Sequence, residues 1–273
     1  MNKKFSENVR TYLTYCFSNF LHEKGWLVFP GTMLIMAILL TVLSKDEMFV
    51  HYSETRNGLF CITCAAIWVG IFNSVQSVCA ERGTIKHEHM DYGISLPAYV
   101  LAHILYELVL CLVEAGIIQG FMTVFFRNGL STHPVSPVRL YVTLLLILLS
   151  SDTMGLLISG VVRTATTAMT VMPFVLIVQL VMAGVIFELD GTAKVISNLT
   201  VGKWGMTALC SCTAINDLER SQDFHNTVYQ HYFAEYSTGT SHLIFLWLIL
   251  ILLAAVFSVL TTLSLRAVDR DKR

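Results

Sequence analysis

Long apolar stretches, separated by short polar segments, dominate the chain. A helix needs about 20 mostly apolar residues to cross a bilayer, because each residue adds about 1.5 Å of rise and the hydrocarbon is about 30 Å thick. Six stretches meet this requirement: Trp26 to Leu43, Gly58 to Cys79, Ala98 to Phe126, Val138 to Val162, Thr167 to Phe187, and His242 to Leu265. The pattern predicts an all-α membrane protein with six transmembrane helices within residues 26–265.

An amphipathic pattern precedes the first span. Apolar side chains recur at helical spacing from Phe5 to Leu21, while Asn8, Arg10 and Asn19 fall on other faces. Residues 1–25 are therefore predicted to form a cytoplasmic helix that lies in the membrane interface. Packing against a partner subunit explains the same pattern equally well.

Composition supports membrane insertion and argues against nucleic acid as a partner. Of the 273 residues, 55% are hydrophobic and 14% are charged, whereas soluble domains have about 25% charged residues. A formal net charge of -1 provides no basic face for a phosphate backbone. When both termini are placed in the cytoplasm, eleven Lys and Arg residues lie inside and seven outside. This bias predicts cytoplasmic termini, with residues 266–273 as a cytoplasmic tail.

A long outer segment, residues 188–241, separates the fifth and sixth spans. It is acidic and aromatic, so we expect a small folded extracellular lid whose beginning could dip back into the bilayer. Cys210 and Cys212 lie in this segment, on the side where disulfides persist. A disulfide between two copies of the chain and a pair of reduced thiols are both open at this point.

The polar stretch between the second and third spans contains HEH at His87 to His89. Residues two apart point in different directions on a helix, unlike the histidines of H-E-x-x-H, which lie one turn apart. We therefore predict no catalytic or metal site here. The stretch is interpreted as a solvated cytoplasmic helix.

Four ionisable side chains lie inside the predicted spans: His103, Glu107, Glu114 and Asp152. Such groups are costly in a bilayer, so each is a candidate functional residue. His103 precedes Glu107 by one helical turn and Glu114 follows it by seven residues, which places these three on one face of the third span. A polar relay or substrate contact is one interpretation, and hydrogen bonding between helices is the favoured one.

The order of these features resembles the ABC-2 type permeases, above all the G subfamily of ABC transporters. The run AERGTIKHEHMDYGISLPAYVLAHILYEL carries an acidic-basic pair at Glu81 and Arg82, a second glutamate at Glu88, and a small-Tyr-x-x-small start to the next helix. The segments DTMGLLISGVV, MPFVLIVQLVMAGVIFEL and KWGMTAL follow in the same order. The family often has a proline after the Glu-Leu of the third span, whereas YELVL continues apolar here.

The resemblance implies roles for named residues. The run from about Thr84 to Tyr92 would be a coupling helix that docks on a nucleotide-binding subunit, with Glu81, Arg82, Lys86, His87, Glu88 and Tyr92 at or near the contact. A hydrophobic plug would lie at Val185 and Ile186. A substrate cavity near a dimer axis would be lined by Trp68, Val69, Phe72, Ile177 and Leu180.

The chain contains no G-x-x-x-x-G-K-[ST] phosphate loop, so ATP and Mg²⁺ are expected on a partner ATPase subunit and no cofactor on this chain. Six spans are half of the usual set, which implies a dimer with a second copy or a related permease. The predicted function is the permease subunit of an ATP-driven exporter in a bacterial cytoplasmic membrane, for an amphipathic, lipid-like or hydrophobic peptide substrate. Two alternatives stay open: a membrane-embedded enzyme that uses the intramembrane carboxylates, and a sensor or immunity protein that binds a ligand without transporting it.

Overall fold

The computed structural model describes residues 3–22, 25–43, 48–92, 95–127, 130, 135–187, 189–218 and 234–268. Within these ranges the chain folds as helices and connecting turns, with no β-strand. The helices are α1 (Lys3–His22), α2 (Val28–Val42), α3 (Tyr52–Ser74), α4 (Ser77–Tyr92), α5 (Leu96–Phe125), α6 (Pro137–Val161), α7 (Ala165–Met182), α8 (Gly191–Ser197), α9 (Val201–Cys212) and α10 (Thr240–Val268).

Six helical segments of the described chain are long and apolar enough to cross a membrane: 25–42, 52–83, 96–125, 137–161, 165–182 and 240–266. The number and order of the predicted spans are therefore confirmed. The fifth span, α7, ends at Met182 and not at Phe187 as predicted. The reason lies at Gly184, whose φ of 73° takes the chain out of the helical region.

The second span continues almost without interruption into the polar segment that follows it. Helix α3 ends at Ser74, residues 75–76 form a turn, and α4 begins at Ser77. The helical hydrogen bonds continue across the turn, because the Val75 N–H donates to Ile71 at 3.0 Å and the Ala80 N–H donates to Gln76 at 3.0 Å. The predicted end of this span at Cys79 thus falls inside α4.

Helices α3 and α6 form the centre of the bundle, and α10 packs on another side of α6. Gly70 makes the close approach of α3 and α6 possible, since a Cβ there would lie 2.6 Å from the Leu148 carbonyl oxygen. The Ser74 hydroxyl crosses the same contact and donates to the backbone carbonyl of Asp152 at 2.6 Å. Small residues therefore determine which two spans lie innermost.

Helix α1 packs along α5 of the same chain. The rings of Tyr12 and Tyr99 meet edge to face at 5.3 Å between centroids, and those of Phe17 and Tyr106 at 5.4 Å. The apolar face of α1 is thus covered at least in part within the protein. Its position in the membrane interface stays a prediction.

The beginning of the outer segment is built into the bundle. Helix α9 packs against α3, α6 and α10, and the Gly202 N–H donates to the Gln179 side chain of α7 at 3.0 Å. Cys210 and Cys212 are buried there and, within the described chain, are not bridged. A disulfide between two copies would require α9 to leave this packing. Residues 219–233 of the predicted lid lie outside the described residues.

Candidate functional site

A cluster of polar side chains joins the base of α4 to α1 and α5. Glu81 of α4 accepts a hydrogen bond from the Tyr99 hydroxyl at 2.7 Å, and its Oε2 lies 3.4 Å from Nε2 of His103. The same nitrogen of His103 lies 3.8 Å from Sγ of Cys16 on α1. We call these four residues the α4-base cluster. It connects three helices through side-chain contacts.

The protonation of the α4-base cluster follows from its hydrogen bonds. Nδ1 of His103 is buried and has no hydrogen-bond partner among the described residues. The Glu81 carboxylate can only accept hydrogen bonds, so the Nε2–H of His103 donates to it. Burial raises the pKa of the Cys16 thiol to about 12, the charge of Glu81 acts in the same direction, and the thiol stays protonated.

A small apolar core includes Tyr99 of the α4-base cluster and is separate from the main core. Its buried members are Val78, Ile85, Leu96, Tyr99, Val100, Leu156 and Leu265. They come from α4, α5, α6 and α10, and Tyr12 of α1 packs against them. A displacement of α4 would therefore affect a core to which α5, α6 and α10 also contribute.

The first turns of α4 face the bundle. The Glu81 side chain is only 21% exposed, and Nη1 of Arg82 donates to the Val162 carbonyl just after α6. The prediction of a solvated helix is therefore wrong for this part of α4, because its polar groups find partners inside the protein. A contact of Glu81 or Arg82 with a nucleotide-binding subunit stays a prediction.

The farther turns of α4 carry the other predicted coupling residues, Lys86, His87, Glu88 and Tyr92. The structure describes these residues as helical. Their side chains lie outside the described part of the structure. Their contact with an ATPase subunit is thus still a prediction.

The three intramembrane carboxyls are all buried. Glu107 is 1% exposed, and Glu114 and Asp152 are 0% exposed. Glu114 accepts hydrogen bonds from the Asn73 amide at 2.9 and 3.1 Å and from the Thr32 hydroxyl at 3.4 Å, which ties α5 to α3 and α2. His103, predicted on the same stripe, pairs instead with Glu81.

Three of the predicted cavity residues form an exposed apolar face on α3 and α7. Trp68 is 48% exposed, Phe72 is 50% exposed and Ile177 is 56% exposed, while Leu180 is half-buried. Val69 is only 4% exposed and belongs to the main core. It faces away from Trp68, because neighbouring residues on a helix point in different directions, and its assignment to the cavity lining stays a prediction.

The predicted plug residues follow the end of α7. Val185 packs on the main core, and Ile186 is 52% exposed. Nη2 of Arg56, on the first turns of α3, donates to the Gly184 carbonyl at 3.2 Å and holds the bend that precedes them. The segment is positioned by α3, while its role as a plug stays a prediction.

Sequence reasoning missed the polar partners of the charged residues. His103 lies next to Cys16, and Glu114 accepts hydrogen bonds from Thr32 and Asn73. Gln179 accepts a hydrogen bond from the first turn of α9. Asn73 and Gln179 are amide side chains inside apolar spans, and such residues indicate a hydrogen bond to another helix. Cys16 gave no such signal because a cysteine on the apolar face of a helix behaves as a small apolar residue, and Thr32 gave none because threonine is common in packed membrane helices.

Comparison with known protein families identifies the class of the protein. The ABC-2 type transporter family matches residues 2–212, most of the chain. The chain therefore belongs to this family, and it is an integral multi-pass membrane protein and a permease component of an ABC transporter. The family is a membrane transport component, is not itself an ATPase, and typically pairs with an ATPase subunit. No curated protein matches the chain.

Proposed function

We propose that the chain is the membrane subunit of an ATP-driven exporter of the kind found in the G subfamily of ABC transporters. It works as a dimer with separate nucleotide-binding subunits, and α4 is its coupling helix. The observation that carries the proposal is the attachment of α4. Its base is fixed by the α4-base cluster and by the small apolar core, whereas its polar turns extend beyond them.

A helix that is fixed at its base and free at its other end can act as a lever, and we use this word for α4 together with the α4-base cluster. Packed cores respond to a push as rigid bodies, because close-packed side chains do not deform continuously. A force applied to Lys86, Glu88 or Tyr92 would reach α1 and α5 through Glu81, Tyr99 and the apolar residues around them. ATP and Mg²⁺ bind on the partner ATPase subunit, and their binding energy enters this chain through α4.

The exposed face of Trp68, Phe72 and Ile177 supports a pathway between two copies of the chain. An apolar aromatic face of the inner span α3 and the outer span α7 is left open by a single chain. A second copy, or a related permease, placed by a two-fold axis would turn this face into the wall of a cavity. Such a wall suits an amphipathic or lipid-like molecule or a hydrophobic peptide.

The permease lies in a bacterial cytoplasmic membrane with both termini inside. Residues 1–25 form the interfacial helix, 26–265 the six-helix domain with the extracellular segment 188–241, and 266–273 the tail. Support comes from the distribution of Lys and Arg, which favours the side that carries α1 and α4. The family match favours this function over an embedded enzyme or a non-transporting sensor.

A pull-down from native membranes tests the proposal. The tagged chain is purified in mild detergent, its bound proteins are identified, and ATP hydrolysis is measured. A variant with Glu88→Ala and Tyr92→Ala should lose the ATPase subunit. Glu81→Gln should keep the subunit but lose stimulation of ATP hydrolysis by substrate, because only the base of the lever is altered.

The matched control for the charge change is Asp190→Asn, at an exposed position before α8. This variant should bind and couple as the original chain does. A chain that purifies without any ATPase, or a Glu88 and Tyr92 variant that keeps full binding, would overturn the assignment of α4 as the coupling helix.

A further inference from the structure

Two buried carboxyls at the contact of α5 and α6 have no evident role in the lever. Glu107 lies on α5 and Asp152 on α6, and their side chains are 1% and 0% exposed. Both oxygens of Asp152 and Oε2 of Glu107 lack a hydrogen-bond partner in the described ranges. Glu114, on the same face of α5, is by contrast satisfied by Asn73 and Thr32.

The surroundings of this pair are acidic or neutral. Within the described residues, the charges of Glu107 and Glu114 both act on Asp152, and Glu114 also acts on Glu107. The other titratable groups near enough to interact electrostatically with Glu107 or Asp152 are the Cys16 thiol of α1 and the Tyr106 and Cys111 side chains of α5. From α3, the nearby polar groups are the uncharged Asn73 and Ser74. His103 is engaged with Glu81 on α4.

An isolated ionised carboxylate in such surroundings is strongly unfavourable, because neither water nor a counter-charge offsets its lost hydration. Two carboxylates that repel one another are worse still. The pair must be neutralised by a cation. Within the described part of the chain no three His, Cys, Asp or Glu side chains are placed to hold a metal ion together. A proton needs only one carboxylate oxygen.

We infer that Glu107 and Asp152 form a proton-binding site in the interior of the membrane domain. Each carboxylate takes one proton on one oxygen from a hydronium ion, which is left as water, and becomes a neutral carboxylic acid. The new O–H is a donor that can serve a neighbouring acceptor, which the two ionised groups cannot do for one another.

Proton binding is thereby linked to helix packing. When α5 and α6 are packed, protons are retained, and when the helices separate enough to admit water, the acids can ionise. The packed state therefore binds more protons than an opened or unfolded one, so its stability falls as pH rises. For each retained proton the folding equilibrium constant falls by up to about tenfold per pH unit above the ordinary carboxyl range.

Infrared spectroscopy of the full chain in lipid nanodiscs tests this inference without any ATPase subunit, so its result is independent of the proposed function. At neutral pH the spectrum should contain the carbonyl band of protonated carboxylic acids. Labelling aspartate with ¹³C should shift one part of the band, that of Asp152, and leave the glutamate part in place. Asp152→Asn and Glu107→Gln should each remove the corresponding part.

Asp190→Asn is the matched control, since this aspartate is exposed and should give no protonated band at neutral pH. The double variant Glu107→Gln with Asp152→Asn should also unfold with a weaker dependence on pH than the original chain. Absence of a protonated aspartate band from the labelled original chain would overturn the site even if a variant failed to fold. An aspartate part that persists in Asp152→Asn, or a glutamate part that is unchanged in Glu107→Gln, would do the same.

Discussion

Helices α3 and α6 differ sharply from α2, α7 and α10, although all five are apolar enough to span a membrane. In the most apolar stretches of segments 52–83 and 137–161, 67% and 72% of the residues are buried. The corresponding shares are 17% in 25–42 and 22% in both 165–182 and 240–266. Hydropathy does not separate these groups, because lipid and protein interior are almost equally apolar.

Small and polar residues explain the difference. Gly70 and Ser74 of α3 meet Ser151, Asp152 and Gly155 of α6 at short range. Small side chains let two backbones approach, and hydroxyls find partners across the contact. The inner pair is therefore specified by a few positions where size matters. The outer helices present large apolar side chains that lipid or another subunit can cover.

The largest effect is expected where a methyl group is added between α3 and α6. Gly70→Ala would place its Cβ 2.6 Å from the Leu148 carbonyl oxygen, a backbone atom that cannot turn away. We expect a loss of about 3 kcal/mol in the free energy of unfolding, at the upper end for overpacking. Equilibrium unfolding in mixed micelles measures this loss.

Gly120→Ala on α5 is the control, since a Cβ there meets nothing within 4 Å. This variant should be more stable by about 0.5 kcal/mol, because alanine is the better helix former. Equal effects at Gly70 and Gly120 would show that the inner contact is not as tight as the structure indicates.

A second, smaller effect is expected at the hydrogen bonds of Glu114. Asn73→Leu leaves this buried carboxyl with only the weak contact to Thr32. The expected loss is about 2 kcal/mol, the cost of an unsatisfied buried polar group. Adding Glu114→Leu should recover most of it, because both polar partners are then gone. A double-mutant cycle that shows simple additivity would contradict the pairing.

The number of spans could be predicted from the sequence, but their partners could not. An uninterrupted run of about 20 apolar residues is a local signal. A glycine such as Gly184 at a helix end is another, but the predicted span ran past it to Phe187. The contact of Glu81 with His103 joins two helices whose relative placement no periodicity reports. The partners of α9 could not be predicted either, because its mixed composition is typical of a surface segment as well as of a segment that returns into the bilayer.

Removal of one hydroxyl from the α4-base cluster should have a modest effect on stability. Tyr99→Phe deletes the 2.7 Å hydrogen bond to Glu81 but leaves the contact of Glu81 with His103. We expect a loss of about 1 kcal/mol in the free energy of unfolding. Tyr141→Phe, at a more exposed hydroxyl that donates to Leu112, should lose less. Equal losses would show that the cluster does not hold α4 more firmly than a peripheral contact holds α6.

The smallest effect on stability is expected on the open face of α3. Trp68→Ala together with Phe72→Ala removes two large side chains that are 48% and 50% exposed. The free energy of unfolding of the single chain should change by less than about 0.5 kcal/mol, as is usual for exposed positions. Association of two copies and transport should both fall, because this face is proposed to meet the partner copy and the substrate. Chemical crosslinking in native membranes and a transport assay measure the two.

Phe245→Ala on α10 is the control for this last change, since that ring is 56% exposed on an outer helix. It should alter neither stability nor transport, because lipid replaces the lost contacts. If Phe245→Ala reduced association as much as the Trp68 and Phe72 variant, the second copy would lie against α10 and not α3. The comparison between inner and outer helices would then still hold for packing within one chain, but the pathway would have to be sought along α10.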